Sequence, residues 1–430
     1  MHILIVAVGS AGDVYPFIAV GQALMRRGHE VTVVAAAAYR ARVESAGLVF
    51  ACGFSQVQLD ECIADAGLWH ARKGFSVIWK RLGKHLPQAY AHQLALIRPG
   101  ETVLVGSTLA LSARLLQETQ GLNLATVHLA PSCFFSAHDT AVRGGLAWLT
   151  ALPPWAVRAI LHLIESGLVD PLVRVDLAPL RARLGLVPVR QVMSRWLHSP
   201  QRVICAFPAW FAAPQADWPP NTVCTTFPRL PAAPGEALSA GLLRFLDAGP
   251  APIACTPGSV MAHGRAFFQR AIAAAAALGL RAVLVTPYRE QLPDLLPPFI
   301  HHEAYAPFDL LAPRVAAFVH HGGIGTCAAA LAAGTPQLIA PFAFDQPDNA
   351  ARLSRLGVAA TVAPDAPVDA WVRALSGLLN QPSVLNACQA LAATMAAETP
   401  AAEHIAGLIE ALGNPAGATA PVHKELPHVA

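Results

Sequence analysis

The chain has 430 residues and a formal net charge of +3, and it is 54% hydrophobic but only 13% charged. At roughly 100–200 residues per domain this length argues for two domains, at most three, and the composition excludes disorder for the bulk of the chain. With 30 Lys and Arg against 27 Asp and Glu, and no basic block or aromatic-interleaved basic stripe, nucleic acid is excluded as an expected partner.

Residues 3–8 form an apolar run that reads as a first strand, without the basic region and cleavage site of a leader, so a cytoplasmic location is expected. A glycine loop follows, then a helical stretch over 16–27 closed by Gly28, and a β-rich run over 30–35. Together they spell a βαβ unit on a parallel sheet buried on both faces. Residues 102–105 and 124–129 repeat the strand pattern. Residues 60–100 and 140–200 are helical in pattern and carry Trp69, Phe75, Trp79, Trp148, Trp155 and Trp196. The richest apolar run, 144–157, is cut by Pro153 and Pro154 and falls short of the roughly 18–20 residues of a membrane span. Proline density over 214–236 marks a linker. Strand patterns then recur at 252–256, 282–286, 315–319 and 337–340, with helices at 266–278 and 327–333. The expected organisation is an N-terminal α/β domain over 1–213, the linker, a second α/β domain over 237–413 and a frayed tail over 414–430. The 8 cysteines are scattered, with no Cys-x-x-Cys or Cys/His spacing, so neither disulfides nor a metal site is expected.

In open parallel sheets, ligands sit at the carboxyl ends of strands, and three loops there carry chemistry. In Phe318-Val-His-His-Gly-Gly-Ile-Gly-Thr326 a strand runs into a glycine turn and an alanine-rich helix. Glycines admit close backbone approach, and a helix N-terminus offers free N–H groups, so a diphosphate fits. A tight turn with core histidines is the alternative, but consecutive side chains leaving a strand point opposite ways, and one histidine must face the loop's mouth. In Pro341-Phe-Ala-Phe-Asp-Gln-Pro-Asp-Asn349, Asp345 and Gln346 suit vicinal sugar hydroxyls, or else Asp345 is a helix cap. In Gly9-Ser-Ala-Gly-Asp-Val-Tyr-Pro16, the carboxylate of Asp13 is either a cap or a catalytic group.

The order of these loops resembles that of family 1 nucleotide-sugar glycosyltransferases of the GT-B type. Bacterial members carry Gly-Ser/Thr-x-Gly-Asp-x-x-Pro near the start, and His-x-Gly-Gly-x-Gly-Thr with Asp-Gln later. The likeness spans nearly the whole chain and leans toward the rhamnosyltransferases of rhamnolipid biosynthesis, on residues 9–14, His-Ser-Pro-Gln at 198–201, Phe-Pro-Ala-Trp-Phe at 207–211, Ala-Tyr-Ala-Pro at 304–307 and Asp-Gln-Pro-Asp-Asn-Ala at 345–350. It implies two Rossmann-like, doubly wound parallel-sheet domains facing across a cleft. Asp13 matches the general base, and an ordinary carboxylate is ionised at pH 7 without tuning. Ser259, His321, Gly322, Gly323 and Thr326 match the residues that bind the donor diphosphate without a metal. Tyr305 and Phe308 match the nucleobase contacts, and Asp345 with Gln346 the sugar-hydroxyl pair. The absence of Asp-x-Asp and of a Glu pair eight apart places the chain in the inverting branch. Plant relatives hold the ribose with a Glu where this chain has Ala329; this suits a deoxyribose donor, although bacterial users of UDP-sugars also lack it.

The resemblance implies no cofactor but a nucleotide-sugar co-substrate, dTDP-L-rhamnose or a UDP-sugar, and transfer of L-rhamnose to the hydroxyl of a 3-(3-hydroxyalkanoyloxy)alkanoate. A UDP-glucose-dependent enzyme acting on a lipid, sterol or polyketide is the alternative. Acceptor contacts are expected from Ser10, Trp69, Phe75, Trp79, His128, Phe134 and Trp148. The basic run Arg72, Lys73, Lys80, Arg81 and Lys84 reads as a solvated helix face, a site for an acyl carboxylate or a contact for an anionic membrane. An inner-membrane surface or an acyl-synthesising enzyme is accordingly an expected neighbour.

Overall fold

The computed structural model of the protein describes residues 1–143, 145–233 and 235–413. In the N-terminal half, β1 (His2–Val6), β2 (Glu30–Ala36), β3 (Val49–Phe54), β4 (Thr102–Ser107), β5 (Leu124–His128), β6 (Arg202–Cys205) and β7 (Thr222–Cys224) form one sheet in the order β3-β2-β1-β4-β5-β6-β7. In the C-terminal half, β8 (Ile253–Thr256), β9 (Ala282–Val285), β10 (Ile300–Glu303), β11 (Ala317–His320), β12 (Gln337–Ile339) and β13 (Ala359–Thr361) form a second, in the order β10-β9-β8-β11-β12-β13. Every strand pair in both is parallel. These are two doubly wound, Rossmann-like sheets, as expected.

The central strands show why. All five residues of β1 are buried, with Ile3 and Ile5 entering one core and Leu4 and Val6 the other. In β11, Ala317 and Val319 face one core and Phe318 the opposite one. A strand apolar on both faces is stable only inside a sheet covered by helices on both sides. Each such large side chain contributes roughly 1.5–3 kcal/mol through burial.

The first helix runs from Ala11 to Arg26, starting before the expected Pro16 because Ser10 and Asp13 form a capping box. Pro16 therefore sits inside the helix, and its missing N–H leaves the Gly12 carbonyl free. Two elements cross the boundaries expected from composition. The segment read as linker contributes β7, paired to β6, and the last helix, Ala401–Gly413, returns to pack Ile405, Ala406 and Ile409 into the N-terminal core. Glu410 and Glu403 on that helix pair with Arg27 at 2.6 and 3.0 Å. The expected tail from Asn414 lies outside the described residues. Among the described residues no helix is long and apolar enough to cross a membrane. All eight cysteines are free thiols.

Candidate active site

Where strand order reverses in a doubly wound sheet, the loops leaving the strand ends splay apart and open a crevice. The reversals lie between β1 and β4 and between β8 and β11, and the loops that leave these four strands carry Asp13, Thr108, Ser259 and His321. The two crevices face one another. A Cβ on Gly325 would stand 3.5 Å from the Gly12 Cα, so small residues on both sides let the domains touch. Around this contact opens a cavity of about 1540 Å³, which both domains line. A pocket for one small ligand is typically about 300–1,000 Å³, so there is room for two substrates.

Asp13 Oδ2 accepts from the Ser10 N–H at 2.7 Å and from the Ser10 hydroxyl at 2.9 Å. It is thus both part of a helix cap and a wall of the cavity. Burial raises its pKa, and the two Ser10 hydrogen bonds oppose the rise. Gly9, at φ +140°, passes so close that a Cβ would lie 2.3 Å from Asp13 Oδ2.

Across the cavity, Gly322 turns the chain at φ +92°, and a Cβ there would lie 2.8 Å from Ile339 Cγ2. The two histidines diverge as expected. His320 is buried; its Nδ1 accepts from the Gly322 N–H at 3.1 Å and its Nε2 faces Gln337 Oε1 at 3.0 Å. His321 lines the cavity, its ring lying against Gly258 and Gly323, and its buried Nδ1 has no partner among the described residues. Burial lowers its pKa to about 4, so the ring is neutral at pH 7. Beyond it the helix Ile324–Ala333 points its N-terminus at the cavity, lined by Ile324, Gly325 and Thr326. The first N–H groups of a helix have no acceptor within it and carry the positive end of its dipole.

Asp345 caps the helix Gln346–Arg355, and its Oδ2 accepts from Asn349 Nδ2 at 2.7 Å. Burial first, then the charge of Asp13, raise its pKa to about 7. Two half-buried carboxylates, one from each domain, therefore act on each other in one site. Next to Asp345, Phe344 is held at φ 60°, its ring 6.1 Å from that of Trp69 in an edge-on contact. Such left-handed backbone at a large residue persists only where its surroundings enforce it.

Residues 3–93 match the glycosyltransferase family 28 N-terminal domain, and residues 270–412 match the C-terminal domain of proteins like erythromycin biosynthesis protein CIII. The O-mycaminosyltylonolide 6-deoxyallosyltransferase of Streptomyces fradiae is 31% identical over 383 residues, covering 85% of this chain and 86% of its own. The chain belongs to the GT-B glycosyltransferases of the family 1 type. The glycosyltransferase of kitacinnamycin shares the fold with a TM-score of 0.73 at 21% identity, over 96% of this chain and 99% of that one. A spinosyn rhamnosyltransferase solved with thymidine diphosphate does so with a TM-score of 0.65 at 22% identity, over 95% of this chain and 100% of that one. Glycosyltransferases of this type take the sugar from a nucleotide-sugar co-substrate and use no cofactor.

In this glycosyltransferase the cavity gathers Ser10, Asp13, Ser259, Tyr305, Phe308, His321, Gly323, Thr326, Asp345 and Gln346, together with Trp69 and Phe75 from the acceptor side. Five expected contacts are corrected. Gly322 does not line the cavity; its N–H is committed to His320, and its role is the turn. Trp79 lies at the edge of the cavity-facing stripe of its helix and is buried in the core with Val173 and Leu177. His128 is fully buried between Thr108 and the ring of His198, 2.9 Å away. Phe134 stacks on Trp218 at 4.2 Å, and its neighbour Phe135 lines the cavity instead. Trp148 is 54% exposed and lies off the cavity. Gln346 is reached, but its Oε1 is committed to the N–H groups of Phe342 and Ala343 at 2.8 and 3.0 Å, so only its amide NH₂ can meet a ligand. Tyr305 is tied through its hydroxyl to Glu236 at 3.0 Å, and Glu236 pairs with Arg42 of the other domain at 2.9 Å.

The sequence reading missed Thr108, Arg143, Gly325 and Phe344, all of which line the cavity. The first two leave ordinary strands and loops with no motif to mark them. The last two lie inside segments already singled out, where the glycines and the Asp-Gln pair drew the assignment.

The raised carboxyl of Asp345 has a consequence for stability. Its pKa rises from 3.8 to about 7 on folding, so between these values the folded state binds more protons than the unfolded one. Stability from this group therefore falls as pH rises through that window. Asp345→Asn is expected to raise Tm more at pH 8 than at pH 4 in thermal melts of the free enzyme; an equal shift at both would contradict the assignment.

Proposed function

We propose that this enzyme inverts configuration as it moves L-rhamnose from dTDP-L-rhamnose to the hydroxyl of a 3-(3-hydroxyalkanoyloxy)alkanoate. The observation that carries this reading is that the cavity that holds Asp13 is also lined by Phe75, Ile78, Leu82, Leu161, Leu168 and Leu172. Those side chains suit aliphatic chains and offer no hydrogen bonds to a polar aglycone. Ala329 faces the cavity with no group to hold a ribose hydroxyl, in keeping with a deoxyribose nucleotide. The Streptomyces fradiae relative is by its name a 6-deoxyallosyltransferase, and L-rhamnose is likewise a 6-deoxyhexose.

In this reading the acceptor hydroxyl gives its proton to Asp13 while its oxygen attacks the anomeric carbon from the face opposite the diphosphate. The bond from that carbon to the phosphate oxygen breaks, and its electron pair leaves with the nucleotide. The first-turn N–H groups of the helix Ile324–Ala333 and the neutral ring of His321 donate to the growing charge, and no metal is required of them. Asp345 and the NH₂ of Gln346 orient the sugar, and Tyr305 and Phe308 flank the base. The reaction is placed in the cytoplasm beside the inner-membrane surface, where nucleotide sugars and acyl acids meet.

The test is to give the purified protein dTDP-L-rhamnose and UDP-glucose separately, each with 3-(3-hydroxydecanoyloxy)decanoate, and to read products by mass spectrometry. Rhamnosylated lipid is expected. Glucosylation without rhamnosylation would overturn the donor assignment in favour of a UDP-glucose enzyme.

A further inference from the structure

Arg72, Arg143 and Arg229 line the cavity without an ion pair among the described residues, and the first two meet on one loop. Arg143 sits in the loop between β5 and β6. Its Nη2 donates to the carbonyls of Ser132 at 2.7 Å and Phe134 at 3.2 Å, and its guanidinium lies 4.8 Å from the centroid of the Phe135 ring. Nε and Nη1 have no acceptor among the described residues. Asp348 is the nearby carboxylate that favours the Arg143 charge, but its oxygens are committed to Arg352 Nε at 2.8 Å and to the Val142 N–H at 2.9 Å. Burial works against the Arg143 charge, and its half-buried guanidinium keeps Nε and Nη1 open to an anion that enters the cavity.

Arg72 completes the arrangement. A Cβ on Gly145 would lie 3.0 Å from Arg72 Nη2, so its guanidinium rests on the same loop two residues beyond Arg143. Arg72 also precedes Gly74, against which the Phe344 ring packs beside Asp345. Both cations line the cavity that also holds Asp13 and the aliphatic side chains. The donor diphosphate has its own partners on the opposite domain.

We propose that Arg72 and Arg143 together bind the carboxylate of the acceptor, so that the enzyme selects hydroxyacyl acids over their neutral esters. This deepens the proposed reaction and rests on it for the acceptor class. Guanidinium forks match a carboxylate in two parallel hydrogen bonds, which a methyl ester cannot accept with equal strength.

The experiment is calorimetric binding, at pH 8, of 3-hydroxydecanoate, its methyl ester and thymidine diphosphate to the unaltered enzyme, to Arg72→Gln and to Arg143→Gln. The unaltered enzyme is expected to bind the acid about 10-fold more tightly than the ester, equivalent to about 1.4 kcal/mol. Each variant should bring the two ligands close to parity through loss of the acid alone, with thymidine diphosphate affinity unchanged. Arg143→Gln removes two contacts to loop carbonyls; should it fail to fold, Arg72→Gln, which breaks no side-chain hydrogen bond among the described residues, decides the matter. An acid-to-ester ratio unchanged in Arg72→Gln, or a parallel loss of thymidine diphosphate, would overturn the proposal. Loss of selectivity in the variants, with no rhamnosyl transfer by the unaltered enzyme, would leave the carboxylate site standing and remove the donor assignment instead.

Discussion

Asp13→Asn is expected to lower glycosyl transfer by about 10²–10⁴-fold, the usual worth of a positioned general base, while thymidine diphosphate binds as before. The substitution keeps the shape of the side chain and one acceptor oxygen for Ser10, so the helix cap survives in part. Removing this carboxylate also relieves the repulsion that raises the Asp345 pKa, which offsets the weakened cap. A collapse of turnover without a fall in Tm therefore separates chemistry from folding. The pH profile offers a second check. Burial raises the Asp13 pKa, so the acid limb of kcat/KM should fall above the ordinary aspartate range, with activity lost as pH drops through it. Asp345, at about 7, titrates in the same site, and the limb will report the coupled pair. Turnover of Asp13→Asn within about tenfold of the unaltered enzyme would remove Asp13 as the base, since tenfold is only about 1.4 kcal/mol of barrier.

How much of this was legible in the chain depends on burial on both faces. β1, β2, β4, β5, β8, β9, β11 and β12 stand inside their sheets and read as mainly apolar runs, which located them, whereas β6, Arg-Val-Ile-Cys, is interior but too short to be marked by its run. β3, β10 and β13 lie at sheet edges; His301, His302 and Glu303 of β10 are only half-buried, so no such run marks them. The donor side was legible for a related reason. Its glycines and histidines are demanded by a turn geometry that admits little else, as the clash awaiting a Cβ at Gly322 shows. The acceptor side was not. The helix Gly74–Leu94 presents Phe75, Ile78, Leu82 and Ala89 to the cavity at helical spacing, and Trp79, one residue off that stripe, goes to the core. Aromatic count suggested a greasy pocket, but only the rotation of the helix decides which rings line it. Trp148 and Phe134 failed for the same reason, since loops have no period from which a facing side can be read.

His321→Ala is the other large effect expected. Its ring is pressed between Gly258 and Gly323, where burial favours the neutral form over the opposing pull of the Thr256 backbone. Removing one preorganised donor at a developing oxyanion typically costs about 10²–10³ in kcat, and a loss of that order is expected here. The remaining activity would come from the helix N-terminus, which the substitution leaves in place. Because burial holds the ring neutral, with a pKa of about 4, it acts as a hydrogen-bond donor and not as a cation. The part of donor affinity that His321 supplies, read as the difference between the unaltered enzyme and His321→Ala, should therefore be flat between pH 6 and pH 8, while the titration of Asp345 near 7 is common to both. His321→Gln, which restores an N–H in the same loop, should recover part of the rate, whereas a protonated ring would be better replaced by Lys. Recovery with Lys but not with Gln, accompanied by a contribution of His321 to donor affinity that weakens as pH rises through 6.5, would show that charge rather than a neutral donor holds the leaving group.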